Sequence, residues 1–388
     1  MRISTSVAAA ATAGLCAIWV VGCGGESQTS PSGSEAFDWG ALLPTVDFPP
    51  PRVPDDNPMS LQKVELGRRL FYDRRLSGNE TQSCGSCHEL ARGFSDGLAV
   101  SEGSTGELTP RNSMALGNVA YATTLTWGNP LLRTLEAQVL IPMFGEDPVE
   151  LGLSGRDGEM LERLRRDSLY PSQFRRAFDG DPDPINIANI AKAIAAFQRT
   201  LITFNSPYDR ATYKGEPEAM SDAARRGELL FFSEKFECFH CHGGANFSAA
   251  TVTARSQFLE LAFFNNGLYN VDGEGGYPVG NTGVHEITND PRDMGRMRPP
   301  SLRNIAVTAP YMHDGSLATL DDVLDHYARA GTLTPDGPNA GDGALSPLKN
   351  DFIVGFTFEG TEREDLKAFL NSLTDPDFLS NPDLGPVE

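Results

Sequence analysis

The pentapeptide Cys-x-x-Cys-His occurs twice in this chain of 388 residues, as CGSCH at 84–88 and as CFHCH at 238–242. In covalent haem attachment, two thiols at this spacing bond to the vinyl groups of a porphyrin, and the next residue gives its imidazole to the iron. The alternatives are two thioredoxin-like disulfides or one four-cysteine zinc site, and neither has a role for a histidine after both pairs. The sequence therefore predicts two c-type haems, held by Cys84, Cys87 and His88 and by Cys238, Cys241 and His242.

The N-terminal segment MRISTSVAAAATAGLCAIWVVGCGG has one basic residue followed by an apolar run. The run is shorter than the ~20 apolar residues of a membrane span, so residues 1–22 are predicted to be a signal peptide. Small residues lead into Cys23, which resembles the lipidated cysteine of a bacterial lipobox. Ordinary cleavage and an uncleaved anchor are the alternatives, and all three export the chain. We expect a lipid-anchored protein on the periplasmic side of a bacterial membrane, with residues 23–56 as a flexible tether.

Export makes the six cysteines informative, because spare thiols outside the cytosol tend to form disulfides. Cys16 leaves with the signal peptide, and Cys23 is taken by lipid. The other four cysteines are those of the two haem motifs. No thiol is left over, which favours haem attachment.

The formal net charge is −20, and it is spread along the chain without a long run of one sign. Such a chain is not expected to bind nucleic acid or an anionic membrane surface, so membrane contact is predicted through the lipid anchor alone. A basic protein partner would be attracted. A solvated acidic surface without a partner is the alternative.

The segments around the two motifs form a diverged repeat. Each has a serine at a helix start, a glycine-containing helix that ends in aromatic residues, the haem motif and then Phe-Ser. Residues 57–205 and 206–388 are predicted to be two cytochrome c-like domains, and residues 205–220 to be a polar linker. A helix with Ile187, Ile190, Ile194, Phe197 and Leu201 on one face is predicted to close the first domain. Few runs alternate with period two, so we expect a mainly α fold with long loops.

Several further stretches resemble, in order, the bacterial di-haem cytochrome c peroxidases and their relative MauG. They include LGRRLFYDRRLSGNETQSCGSCH, TPRNSMALGNVAY, WGNPLLRTLEAQVLIPMFGEDPVEL and RPPSLRNIAVTAPYMHDGSLATLDDVLDHY. The resemblance implies that peroxide reacts at the N-terminal haem and that the C-terminal haem relays electrons. It also implies a calcium ion near the domain interface.

The resemblance also implies roles for single residues. Trp127 matches the tryptophan between the two haems, with core packing as the alternative. Gln138 and Glu150 match the polar residues over the open face of the N-terminal haem, where cleaving a peroxide bond requires a proton to move between its oxygens. Asn112 and the carbonyl groups of Thr308 and Pro310 match the calcium ligands, and such oxygens suit this cation.

One departure concerns the peroxide-binding haem. Many peroxidases of the family place a second histidine on this iron, shortly before the calcium-site asparagine. The segment SEGSTGELTPRN has none, and no histidine lies between the two haem motifs. We therefore expect a five-coordinate iron with one open face.

A second departure concerns the other haem, where those peroxidases have a methionine ligand and MauG has a tyrosine. Thr319 is a predicted N-cap with Asp322 completing a capping box, and the following helix places Tyr327 on its apolar face. Tyr327 is therefore the predicted second ligand of the C-terminal iron, and His326 is expected to face solvent. A tyrosinate stabilises oxidised iron, whereas methionine favours reduced iron. A core role for Tyr327 is the alternative, with substitute ligands Met294, Met297 and Met312.

The sequence thus predicts an enzyme that reduces hydrogen peroxide with electrons from a small donor protein of cytochrome c or cupredoxin type. One rival function is MauG-like oxidation of a partner protein's side chains. The other rival is a pure electron carrier, which needs two ligands on both irons. The absence of a second histidine for the first iron argues against that carrier.

Overall fold

Helices dominate the structure, a computed structural model that describes residues 37–387. The α-helices, α1 to α12 in chain order, are Leu61–Phe71, Cys84–Cys87, Leu135–Phe144, Asp157–Arg165, Tyr170–Ala177, Ile187–Arg199, Pro207–Tyr213, Asp222–Phe231, His285–Thr288, Leu320–Ala328, Glu362–Ser372 and Pro376–Leu379. Short 3-10 helices are Arg74–Leu76, Leu90–Arg92, Val119–Tyr121, Pro217–Ala219, Cys238–His240, Pro291–Asp293, Ile305–Val307 and Gly343–Leu345.

Within the described residues, the strands are one short antiparallel pair, β1 at Leu333–Thr334 and β2 at Gly341–Asp342. The predicted mainly α architecture with long loops is confirmed. The predicted signal peptide and Cys23 lie outside the described residues. Across residues 37–387, no helix has the length and apolar character needed to cross a membrane.

The first pair of packed helices is α1 with α6. Ser60 caps α1 by accepting a hydrogen bond from the backbone N–H of Lys63 at 3.3 Å, and Asn186 caps α6 in the same way. The helix predicted here is confirmed, with Ile190 and Phe197 fully buried, but it ends at Arg199, so Leu201 lies beyond it. The two backbones approach so closely at Gly67 that a side chain there would collide with the carbonyl oxygen of Ala193.

The second pair, α8 with α11, repeats this arrangement. Ser221 caps α8, and Gly227 lies against the carbonyl oxygen of Asp365 as Gly67 lies against that of Ala193. Phe197 follows the first contact and Phe369 follows the second, each four residues along the crossed helix. The repeat predicted from the sequence is thus a repeat of helix crossings, made close by a glycine in each half.

Two large hydrophobic clusters surround these crossings. One consists mainly of side chains between residues 64 and 201, and the other of side chains between residues 208 and 373. The chain then returns to the first cluster, where Phe378 and Leu384 are buried. The Tyr72 hydroxyl donates to the carbonyl of Leu384 at 2.7 Å. The division into domains at residue 206 remains a prediction.

The segment expected to be a polar linker contains helix α7, which is a packed element. Ser206 forms a capping box with Asp209, and the Asp209 carboxylate accepts two hydrogen bonds from Arg303 at 2.8 and 2.9 Å. Both side chains of this ion pair are fully buried. The polar composition of the segment therefore reflects a buried ion pair and helix capping as well as solvent exposure.

The close helix crossings generate a stability prediction. Gly67→Ala and Gly227→Ala should each lower the free energy of unfolding, because the added Cβ would force the helices apart, at a cost of ~1–3 kcal/mol or more. Gly158→Ala is the control, since Gly158 lies in α4 with open space around its Cα. Guanidinium denaturation of the haem-loaded variants would measure the difference. Equal stability of all three variants would contradict the packing account.

Candidate functional site

The first haem motif forms helix α2, which Ser83 and Ser86 begin with a capping box. The Nδ1 of His88 donates a hydrogen bond to the carbonyl of Phe94 at 2.7 Å. Because a carbonyl only accepts, the proton is on Nδ1, and the Nε2 lone pair is free for a metal. Phe94 has a φ of +65°, a conformation that aims its carbonyl back at the ring.

The second haem motif repeats this geometry. The Nδ1 of His242 donates to the carbonyl of Phe247 at 3.1 Å, and Phe247 has a φ of +48°. Burial lowers the pKa of His242 to about 4, and burial also lowers the pKa of His88. Both imidazoles are therefore neutral at physiological pH, the form that binds iron.

The four motif cysteines do not have the character of the two alternative sites. Burial raises the pKa of Cys84 to about 12 and that of Cys87 to about 11, whereas a reactive redox thiol has a lowered pKa. The pKa values of Cys238 and Cys241 are raised in the same way. Across residues 37–387, these cysteines do not converge into one metal-ligand cluster. Each Cys-Cys-His set therefore fits a covalent haem.

A partly open cavity lies beside the first motif. Its lining joins four separate parts of the chain. They are Gln82, Ser83, Cys84, Cys87 and His88 at the first motif; Ser101, Glu102, Gly103 and Thr109; Gln138, Val139, Pro142, Glu150 and Leu151; and Gln198. The segment that carries the second histidine in other peroxidases contributes Ser101, Glu102, Gly103 and Thr109. Among the described residues, no imidazole other than that of His88 lines this cavity.

Gln138 and Glu150 lie together in this cavity, as the family resemblance implied. Gln138 is on helix α3, and Glu150 is on the loop that follows it. Two backbone hydrogen bonds hold that loop in place. The N–H of Ser104 donates to the carbonyl of Glu150 at 2.7 Å, and the N–H of Leu151 donates to the carbonyl of Pro142 at 2.9 Å. Burial raises the pKa of the Glu150 carboxyl. A carboxyl with a raised pKa is suited to accept and return a proton near neutral pH.

Gln198 is a cavity residue that the sequence reasoning missed. It lies on α6, is buried, and its Oε1 has no hydrogen-bond partner within the described residues. Phe197 matches Phe369 in the repeat, so Gln198 matches Leu370, which is also buried. Aligning the two halves of the repeat could have revealed this position, because it pairs the polar Gln198 with the apolar Leu370.

Trp127 connects the two haem segments. Its Nε1 donates to the carbonyl of Asn112 at 2.9 Å, and its own carbonyl accepts from the N–H of Arg298 at 2.7 Å. Asn112 and Arg298 are equivalent in the repeat, because each lies six residues before an asparagine of positive φ, Asn118 or Asn304. Two residues after each of them, the backbones of Met114 and Pro300 lie near the imidazoles of His88 and His242. This position fits the predicted location between the haems.

The residues predicted to bind calcium lie on segments that contact each other. Asn112 is buried, its N–H donates to the carbonyl of His313 at 2.8 Å, and its side-chain amide donates to that of Leu98 at 2.7 Å. The side-chain oxygen of Asn112 is not used in these bonds. Thr308 and Pro310 precede His313 on the facing segment. Calcium binding by this set remains a prediction.

Tyr327 lies on helix α10, whose capping box of Thr319 and Asp322 is as predicted. Burial raises the pKa of the Tyr327 phenol, and the nearby Cys241 and Cys238 thiols add to that effect. Tyr327 also lines a small cavity with Phe236 and Glu237 of the second motif region. Its side chain therefore faces the second haem segment.

The side chain of Asn266 lies near the Tyr327 phenol, and its amide donates to the sulfur of Met312 at 3.3 Å. Met312, one of the substitute ligands, thus shares the neighbour Asn266 with Tyr327.

The expectation that His326 faces solvent was wrong. Only 3% of His326 is exposed, and its Nδ1 lies 2.8 Å from the hydroxyl of Thr332. The chain turns after α10 and covers this face, with the N–H of Gly331 donating to the carbonyl of His326 at 2.8 Å. His326 is thus held by the following loop, and its ring packs edge-on against that of Tyr327, with the ring centroids 4.8 Å apart.

The paired motifs generate a prediction about haem content. Cys84→Ala or Cys238→Ala should each weaken covalent attachment at one site and leave the other haem in place, because the two sets are separate. Intact-protein mass spectrometry after denaturation would count the attached haems. A wild-type mass with fewer than two haems would overturn the assignment.

Comparisons with known proteins agree with this geometry. Residues 61–218 match the family described as di-haem cytochrome c peroxidase, or CCP_MauG. The chain is 35% identical to cytochrome-c peroxidase IdrP1 of Denitromonas iodatirespirans, over 88% of this chain and 89% of that protein. It is 32% identical to methylamine utilization protein MauG of Methylorubrum extorquens, over 85% and 84% of the two chains.

A solved structure is more similar still. It is described as a MauG-like protein associated with microbial copper homeostasis, and it is 50% identical with a TM-score of 0.85, over 87% of this chain and 96% of that one. Haem motifs, cavity, helix crossings and relatives lead to one conclusion: the chain belongs to the di-haem cytochrome c peroxidase family, which includes MauG.

Proposed function

We propose that this protein is an exported, lipid-anchored di-haem enzyme that uses hydrogen peroxide to oxidise side chains of a partner protein, as MauG acts on a protein. The observation that carries the proposal is the pairing of two features. The first-motif cavity has no second imidazole among the described residues, and Tyr327 faces the second motif. The 50% identity to a MauG-like protein supports the same branch of the family.

When bound, the haem of His88 supplies an iron at which peroxide is cleaved, and the haem of His242 supplies an iron that relays electrons. The cavity residues provide the proton movement. Glu150 would take a proton from one peroxide oxygen and return it to the other, which leaves as water. Gln138 would hold the peroxide by hydrogen bonding and orient it toward that carboxylate. Two electrons and two protons convert one peroxide to two waters, and in this proposal the partner's side chains supply the electrons.

The partner is inferred from the similar MauG-like protein, whose description associates it with microbial copper homeostasis. We therefore infer an exported partner that takes part in copper handling and has oxidisable aromatic residues. The hydrogen bonds of Trp127 to both haem segments support a role for it on the electron route. Calcium bound by Asn112, Thr308 and Pro310 would hold the two segments together.

A second candidate function is peroxide reduction with electrons from a small cytochrome or cupredoxin. It is favoured by the 35% identity to a cytochrome-c peroxidase and by the net charge of −20, which would attract a basic donor. Both functions use peroxide at the same cavity. They differ in the electron source.

The central experiment compares these two electron sources. The purified di-haem protein is mixed with peroxide and either a reduced small cytochrome c or the exported proteins of the source cells. We expect a peroxide-dependent change in the mass of aromatic side chains in one exported protein, and slow cytochrome oxidation. Rapid cytochrome oxidation without any side-chain change would favour the peroxidase.

Glu150 generates a pH prediction. Its carboxyl must be ionised to accept a proton, and its folded pKa is raised, so the rate with peroxide should fall on acidification at a pH above the ordinary 4.5. Glu150→Gln should lower the rate by about 10²-fold or more and remove this pH dependence. Glu102→Gln is the matched control, because Glu102 lines the same cavity but is exposed. Stopped-flow spectroscopy would measure both, and a wild-type pH profile in Glu150→Gln would contradict the role.

Tyr327 generates a spectroscopic prediction. Tyr327→Phe keeps the ring but removes the phenol oxygen, so the spectrum of the second haem should change while both haems stay attached. The reduction potential of the second haem should rise, and oxidation of the partner protein's side chains should be lost. Tyr269→Phe is the control. It also removes a tyrosine hydroxyl from the second half of the chain, but that hydroxyl donates to the Asp314 carboxylate at 2.7 Å. An unchanged spectrum in Tyr327→Phe would exclude tyrosine ligation.

A further inference from the structure

Arg298 is a buried cation without a carboxylate partner. Its exposed fraction is 7%, and no salt bridge to it occurs in the part of the chain that the structure describes. Its Nε donates to the carbonyl of Thr126 at 3.1 Å, and its Nη2 donates to the sulfur of Met114 at 3.0 Å. Neither acceptor carries a charge.

Arg303, five residues later, is also a buried arginine, but it has a carboxylate partner. Its guanidinium donates to both oxygens of Asp209, at 2.8 and 2.9 Å. Taking a charge out of water is costly unless an opposite charge faces it. Burial alone accounts for the lowered pKa of Arg298, about 10, because no carboxylate is near enough to oppose it. At physiological pH the guanidinium is still charged, so an anion brought by a bound group would stabilise it.

The surroundings of Arg298 indicate which anion this is. Its N–H donates to the carbonyl of Trp127, and its guanidinium contacts Met114, whose backbone lies near the imidazole of His88. The backbone of Pro300, two residues later, lies near the imidazole of His242. The cation therefore lies between the two segments that hold the haem ligands. Each haem c carries two propionate carboxylates, which are the anions that the bound cofactors bring to this region.

We propose that Arg298 is the counter-cation of a haem propionate between the two haem sites and that its charge raises the reduction potential there. A fixed positive charge favours the form of the iron with one electron more. The inference rests on the two-haem assignment that underlies the proposed function. It does not depend on which molecule donates electrons.

The test is a reductive titration of the haem-loaded protein, followed by visible spectroscopy, with haems counted by mass. Arg298→Met removes the charge and keeps the length, Arg298→Gln removes the charge and keeps an N–H for the Thr126 carbonyl, and Arg298→Lys keeps the charge. Arg296→Gln is the matched control, because Arg296 is in the same loop, 48% exposed and 3.4 Å from Asp293.

Both neutral variants should make one-electron reduction of at least one haem about tenfold less favourable, which is about 59 mV. Arg298→Lys should shift the reduction potential by less than half as much, and Arg296→Gln should leave the potential unchanged. If the neutral variants fail to accumulate with two haems while Arg298→Lys does, the requirement for charge is supported. Unchanged potentials in the neutral variants would overturn the proposal, and so would an equal shift in Arg298→Lys. These readouts use neither peroxide nor partner, so a failure of the proposed function would be seen separately.

Discussion

The hydrogen bond from each haem-motif histidine to a phenylalanine carbonyl is the constraint on which the rest of the site depends. His88 donates to Phe94 and His242 to Phe247, and both phenylalanines have a positive φ. The bond fixes the tautomer and aims the free nitrogen at the cofactor. Keeping a bulky residue in this conformation costs free energy, and both phenylalanine side chains are fully buried. The hydrophobic clusters therefore support the ligand geometry directly.

The two halves share this scaffold but differ in what they place around it. The glycine crossings, the positive-φ asparagines and the histidine bonds are repeated. The first half adds Gln138, Glu150 and Gln198 around an open cavity, whereas Leu370 takes the place of Gln198 in the second half. The second half instead directs Tyr327 toward its motif. One architecture thus surrounds the first motif with an open, polar cavity and places a tyrosine at the second.

Features with a local cause were predictable from the sequence. The haem motifs follow from fixed spacing, and the caps Ser60, Ser221 and Thr319 follow from side chains that bond within three residues. Family resemblance brought Gln138 and Glu150 to one cavity, although twelve residues separate them in the chain.

Features with a distant cause were not predictable in this way. Helical periodicity placed His326 on the polar face of α10, but the loop that covers this face lies beyond the helix. The buried state of Asp209 depends on Arg303, which is 94 residues away. The absence of a carboxylate near Arg298 within the described residues becomes visible only when all its neighbours are known.

The return of the chain to its beginning has a consequence for the order of folding. The bond from Tyr72 to Leu384 spans 312 residues, and Arg68 donates to the carbonyl of Gly385 at 2.7 Å. Contacts this distant in sequence form late, because a long segment must be ordered before its ends meet. The first hydrophobic cluster therefore stays incomplete until the segment from Phe378 to Gly385 has been synthesised. Nascent chains that lack this segment leave the surface around α1 open.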